Sequence, residues 1–540
     1  MKILRPLPLA VTRPISLGLL LAWLATMAVL VNKSYLEASS TSLGADLARY
    51  GTSAEWRGVY YRGEKIGFTV SQTVPDGDGF QIQEDARLQM SLLGSISHAR
   101  IRTSARVGGA FALRSFEFSL DPGTGAININ GRVDGSRLTL TTTTSSGTRS
   151  EERVLSEPPM LALNLPRRLA SAGLVTGRRY QWTIFDPATL GDAPIRIGVG
   201  SRELQRSMTY GRPIPAFRVE MEFAGLRTTS WITDTGEVLR EESPMGLISV
   251  AESPRTARVM AVSDRGRTDL LESAAIVPTM RQRIDQPRDV RLMRIRLDGA
   301  DLSSPDLQGV GQRLDGNVLE IVDPQQLKPG PADPDRTRYL RPEPLIESDA
   351  PEIVKESEAA VRHVVGSRAR AEALTRYVNA LLEKKPTISL PSAREVLRTK
   401  VGDCNEHTAL YVAMARAAGI PARIAVGLVL VRGAFYYHAW PEVYLDEPDG
   451  RGLWLPVDPT LNEFPADGTH LRLARGGLDK QAAILPLVGR LKMTVLDVQL
   501  APNSIPILAG RPVMDRTPLS IALPARAGNC WTLTEPSRRR

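Results

Sequence analysis

Cysteine is nearly absent from this chain: its 540 residues hold two, Cys404 and Cys530. Two cysteines make no disulfide framework, and low usage fits a reducing cytosol or a bacterial envelope equally. Histidine is also scarce, at five residues. Histidines and cysteines together show no metal-ligand spacing, so neither a metal nor another cofactor is expected. Aromatics make up 5% of the chain, too sparse for a surface on which nucleic-acid bases stack. No long block of one charge sign occurs. The formal net charge of +9 comes from arginines spread along the chain, which reads as a solvated basic surface or one attracted to anionic lipid headgroups. A chain of this length exceeds one core and implies roughly three or four domains.

Long apolar runs are missing too, with one exception. After Lys2, Arg5 and Arg13 comes "PISLGLLLAWLATMAVLVN", Pro14 to Asn32, with no charge. As a helix it would span about 28 Å, the thickness of a bilayer core. It is longer than the usual core of a cleaved signal peptide, and no clear Ala-x-Ala follows it. The expectation is therefore a single-pass inner-membrane anchor at 14–32. Basic residues before the span place the bulk of the chain outside the cytoplasm, in the periplasm.

Residues 53–275 read as a large, mainly antiparallel β domain. "FQIQEDARLQM" puts Phe80, Ile82, Ala86, Leu88 and Met90 on one face at period two, and turn signals recur at "PDGDG", "DPGTG" and "DTGE". One helix-like interruption falls at 158–173. A small β module is expected at 276–325 and a stiff proline-rich linker at 326–350. From 351 to 476 the pattern becomes α+β. Leu374, Tyr377, Val378, Leu381 and Leu382 share a helix face, and "SARE" opens a further helix with a capping box. Another helix runs from Cys404 to about Ala418, closed by Gly419 and Pro421. Strand signals follow in "ARIAVGLVLV", "FYYHAWPEVYL" and "GLWLPVDPT". Residues 477–540 form a C-terminal extension.

Chemistry can be built around "GDCNEH". Asp403 or Gly402 caps the helix and leaves the Cys404 thiol in its first turn, where unpaired N–H groups and the dipole favour thiolate. His438, on a strand, is placed to accept the thiol proton. Asp458, at the end of the next strand, can fix the imidazole tautomer. The backbone N–H of Cys404 is a candidate oxyanion donor. "GDCNEHTALYVAMARAAGIPARIAVGLV", "HAWPEVYL" and "WLPVDPT" resemble the transglutaminase-like superfamily, whose core is papain-like. The resemblance covers about 350–475 and implies a catalytic Cys404, His438 and Asp458, present in the family's chain order. The overall layout looks like that of bacterial membrane-anchored members.

That resemblance implies a cysteine-dependent acyl-transfer enzyme acting on amide bonds of a protein or peptide, as peptidase, amidase or transamidase. The alternative is an inactive envelope scaffold that keeps the fold to bind proteins or peptides. Three further expectations concern neighbouring residues. His407 either tunes the thiolate or sits at the cleft rim. Trp440 and Trp454 either wall a substrate tunnel or belong to the core. Arg416 and Arg423 are structural.

Overall fold

The computed structural model describes residues 54–502 and 507–508, except 93, 124, 156, 208, 210, 224, 244–245, 261–267, 387–389, 477–483 and 485–486. The apolar segment 14–32 and Cys530 lie outside the described residues. Among the described residues no helix is long and apolar enough to cross a membrane.

Alternating polar and apolar residues from Glu55 to Ala251 build one 14-stranded antiparallel sheet. Two meanders compose it. One runs from Glu55–Tyr61 to Gly147–Val154, the other from Arg179–Asp186 to Leu247–Ala251. They join where Arg57 pairs with Ala251. Turn chemistry sets each hairpin. Gly77, in "PDGDG", takes a φ of 62° between two of the longest strands. Of the face read from "FQIQEDARLQM", Ile82 and Ala86 are buried; Asp85 is buried from the other parity and accepts from Arg102 Nε at 3.0 Å. The sheet curls. Phe185 of the second meander lies 5.7 Å, ring to ring, from Phe116 of the first, in a core with Ile129, Leu138 and Leu190. Each such buried side chain contributes about 1.5–3 kcal/mol. The helix-like interruption is a helix at Leu165–Ala172 whose Leu165 and Leu169 are buried.

The small β module draws on both flanks of the α+β region. Strands Gln312–Asp315, Val318–Val322 and Val290–Asp298 are completed by Lys492–Leu500. The segment read as a separate C-terminal extension therefore returns a strand to residues 276–325. The proline-rich stretch 326–350 is not a free spacer. Gly330–Pro331 pairs with the strand Arg451–Pro456, and Tyr339, Leu345 and Ile346 are buried. Prolines stiffen it, and its apolar side chains give it something to pack against.

The α+β region is built on a five-stranded sheet in the order Gly330–Pro331, Arg451–Pro456, Ala434–Asp446, Ala422–Val431, Leu471–Gly476. Four helices, Pro351–Ala360, Ser367–Leu381, Ala393–Thr399 and Cys404–Ala417, share a core with one face. The β module covers the other through Leu428, Leu430, Phe435 and Leu471. Because both faces are covered, Ala422–Leu430 is buried without a break. The Cys404 helix is the centre of the domain, with His407 to Arg416 buried on every side.

Candidate active site

The local sequence explains how Cys404 is presented. Asp403 is the N-cap. Its Oδ1 accepts the Asn405 amide at 3.0 Å, while Glu406 Oε2 accepts the Asp403 amide at 2.8 Å, a reciprocal capping box. Glycine is needed at 402, since a Cβ there would lie 2.2 Å from that of Glu406. Cys404 is then the first helical residue, half-buried and facing a cavity of about 460 Å³ that His438 also lines.

His438 and Asp458 are joined directly. The strand Ala434–Asp446 pairs antiparallel with Arg451–Pro456, with Glu442 opposite Pro456. The chain beyond Pro456 carries Asp458 to His438, whose Nε2 lies 2.7 Å from Asp458 Oδ2. That contact leaves Nδ1 of His438 as the available base. The other carboxylate oxygen is fixed by its own loop, since Asp458 Oδ1 accepts the amides of Thr460 at 2.7 Å and Leu461 at 3.0 Å. Trp440 is 1% exposed; it stacks on the His438 ring and meets His470 edge-on at 5.1 Å. Neither Trp440 nor Trp454 lines the cavity. Trp454 packs under the guanidinium of Arg423 and donates to Asp333 at 2.8 Å.

The electrostatics modify one expectation. The helix start was expected to favour thiolate, yet burial, followed by the charge of Asp403, pushes the Cys404 thiol pKa well above the ordinary value. Glu406 and Asp458 act in the same sense, and a hydrogen bond with the Ala439 backbone opposes them. Burial first, and the neighbouring acids after it, disfavour the thiolate, so the site calls for a base to take the thiol proton.

Asp458 has a second partner that sequence reasoning missed. His470 Nε2 lies 3.1 Å from Asp458 Oδ2, and His470 Nδ1 lies 3.1 Å from Asp467 Oδ1. All three groups are buried. Burial opposes a charge on His470, but the two carboxylates overcome it and raise its pKa well above the ordinary value. Burial likewise opposes the Asp458 charge, and His438 and His470 hold that carboxyl well below the usual range. His438, Asp458 and His470 lie close enough to share an ion, as do Glu463, Asp467 and His470. Both ring nitrogens of His470 face carboxylate oxygens, an arrangement that suits an imidazolium donating to each. The available signal was "DGTH", an acid three residues before a histidine, at the start of a strand.

The remaining candidates are placed as follows. His407 is fully buried, not at the rim; its Nδ1 donates to the Asp403 carbonyl at 2.7 Å, and burial lowers its pKa. Arg416 donates to the carbonyls of Ala422 at 2.9 Å and Arg341 at 2.6 Å, tying the end of the Cys404 helix to the sheet. Arg423 and Arg472 flank the buried Glu442 at 2.6 and 3.3 Å.

Comparison with known proteins bears on part of the chain. Residues 357–459 match the transglutaminase-like superfamily and constitute a transglutaminase-like domain. Cys404, His438 and Asp458 fall inside the match; His470 falls outside it. None of the curated proteins compared matches the chain. Three solved structures overlap parts of it. A candidate cysteine protease from Cytophaga hutchinsonii is 18% identical, with 41% of this chain and 92% of that one covered, at a TM-score of 0.27. A β-barrel-like protein of a domain of unknown function from Brucella abortus is 10% identical, over 36% and 95%, at 0.30. The periplasmic domain of TgpA from Pseudomonas aeruginosa is 20% identical, over 33% and 77%, at 0.24.

Proposed function

We propose that this chain is a cysteine-dependent acyl-transfer enzyme acting on amide bonds, held at the outer face of the cytoplasmic membrane by residues 14–32. The observation that carries the reading is the shared cavity. Cys404 opens a helix beside the strand of His438, whose Nε2 is already bonded to Asp458. His438 Nδ1 takes the thiol proton as Cys404 Sγ attacks the amide carbonyl. The tetrahedral oxyanion is stabilised by the Cys404 backbone N–H at the helix start. Collapse breaks the C–N bond, the amine leaves with the proton from His438, and a thioester to Cys404 remains. Water, activated by the same imidazole, then releases the acid; an amine in its place gives transamidation. Since burial and the nearby acids raise the thiol pKa, His438 acts as a general base during attack. Hydrolysis needs no second binding site and is the simpler outcome.

The experiment is mass spectrometry of envelope extracts incubated with the full chain and with Cys404→Ala. Hydrolysed or crosslinked products formed only by the native chain are expected. Identical extracts would leave the fold as a binding scaffold.

A further inference from the structure

We propose that the substrate carries a carboxylate beside the scissile amide, as an acidic peptide does, and that Lys384 and Lys385 recognise it. The inference rests on the reading of Cys404 as nucleophile and names the substrate class of that site.

Two lysines in sequence are ordinarily solvated surface, but these are held in place. The residues Glu383–Lys384 pair in parallel with Val401–Gly402, directly before Cys404. Glu383 donates its amide to the Lys400 carbonyl at 2.8 Å, and Lys385 donates its amide to the Gly402 carbonyl at 3.0 Å. Beyond them Pro386 is buried, and its carbonyl accepts Ser97 Oγ of the β domain at 2.9 Å. The segment is thus fixed from both sides, and both lysines line the Cys404 cavity. Neither ammonium has an ion-pair partner among the described residues. Three acids of the site have partners of their own: Asp403 and Glu406 cap the helix, and Asp458 holds two imidazoles. The charge of Lys384 reaches the site, acting on both His407 and Asp458.

Two other features of the cavity fit such a substrate. Val426 and Val429 give it an apolar wall that takes the body of an acyl group. Thr460 also lines it, and its hydroxyl is buried without a partner, so a bound polar group would satisfy it. Arg432 also lines it, in the turn after Val431 and near Tyr436, on which Asp269 and Glu272 act as well. Lys384 and Lys385 thus bring positive charge to the wall of the Cys404 cavity, where a carboxylate next to the reacting carbonyl would sit.

The test uses two alkylating agents of equal reach, anionic iodoacetate and neutral iodoacetamide. The full chain in detergent is treated with each, and modification of Cys404 is followed on its peptide by mass spectrometry. The ratio of the two rates cancels the intrinsic reactivity of the sulfur. We expect the ratio to fall about fivefold in Lys384→Gln/Lys385→Gln and further in Lys384→Glu/Lys385→Glu. We also expect it to fall in the native chain at high salt. Both lysines are exposed, so these variants fold. An unchanged ratio in both double variants overturns the inference and leaves the nucleophile reading standing. A Cys404 that neither agent modifies faster than a free cysteine overturns both.

Discussion

At the residue scale, the site depends on Asp458 being held from two directions. His438 was visible in the sequence because a strand histidine in "HAWPE" precedes an aspartate in "VDPT" by one hairpin. His470 was not, because its relation to Asp458 exists only once the chain after Asp458 has folded back to start the Leu471–Gly476 strand. Its raised pKa has a direct consequence for stability. A histidine whose folded pKa exceeds the unfolded value of about 6.5 contributes fully below that pH. The contribution is lost as pH rises through the folded value. The Asp458 contribution has the opposite sense: it is present above about 3.9 and disappears only as pH falls through its lowered folded pKa. Both are complete between about pH 5 and 6. Replacing His470 by Gln leaves two buried carboxylates facing one neutral amide and should cost about 3–5 kcal/mol there. Thermal melts of native chain and variant from pH 5 to 10 check this: the gap should be widest at pH 5–6 and narrow as pH rises. A gap that stays constant with pH would mean that His470 is not held as an imidazolium.

At the element scale, the Cys404 helix was legible almost to the residue. The sequence implies Cys404 to about Ala418; the helix runs Cys404–Ala417, with Gly419 at a φ of 78° beyond its end. Strong capping chemistry and an unbroken apolar run leave little for tertiary structure to decide. The "SARE" motif was less complete. Ser392 does accept the Glu395 amide, but the Glu395 side chain turns away to Arg398 and to Ser145 of the β domain. A tertiary partner has displaced the local one. The capping box at Cys404 is complete, and Gly402 makes it possible. Gly402→Ala forces the Glu406 side chain or the turn to move, with an expected loss of about 1–3 kcal/mol. Cys404 modification should slow as the turn shifts, while strand pairing elsewhere remains. Melting temperature and Cys404 labelling report the two effects; a variant with native values for both would show that the turn does not present the thiol.

At the scale of the whole molecule, domain boundaries were the least legible feature. Prolines between 326 and 350 suggested a spacer, whereas buried Tyr339 and Ile346 pack that segment against the five-stranded sheet's domain. No local pattern announces that Lys492–Leu500 pairs with Val290–Asp298, since the residues that choose each other are far apart in the chain. The β domain was legible as a class because period-two alternation is local. That it touches the transglutaminase-like domain was not. Contacts such as Arg149 with Asp349 at 3.1 Å and Ser97 with the Pro386 carbonyl join surfaces that read as ordinary polar strand faces. The most direct test of the central claim, a thiol activated by the His438–Asp458 pair, is the rate of Cys404 alkylation by iodoacetamide against pH, in the native chain and in His438→Ala. The account predicts that the native thiol reacts faster than a free cysteine near neutral pH. In His438→Ala the rate should fall about 10²-fold or more and recover only above the ordinary thiol range, because the surroundings of Cys404 raise its pKa. Identical profiles for the two proteins would contradict the account.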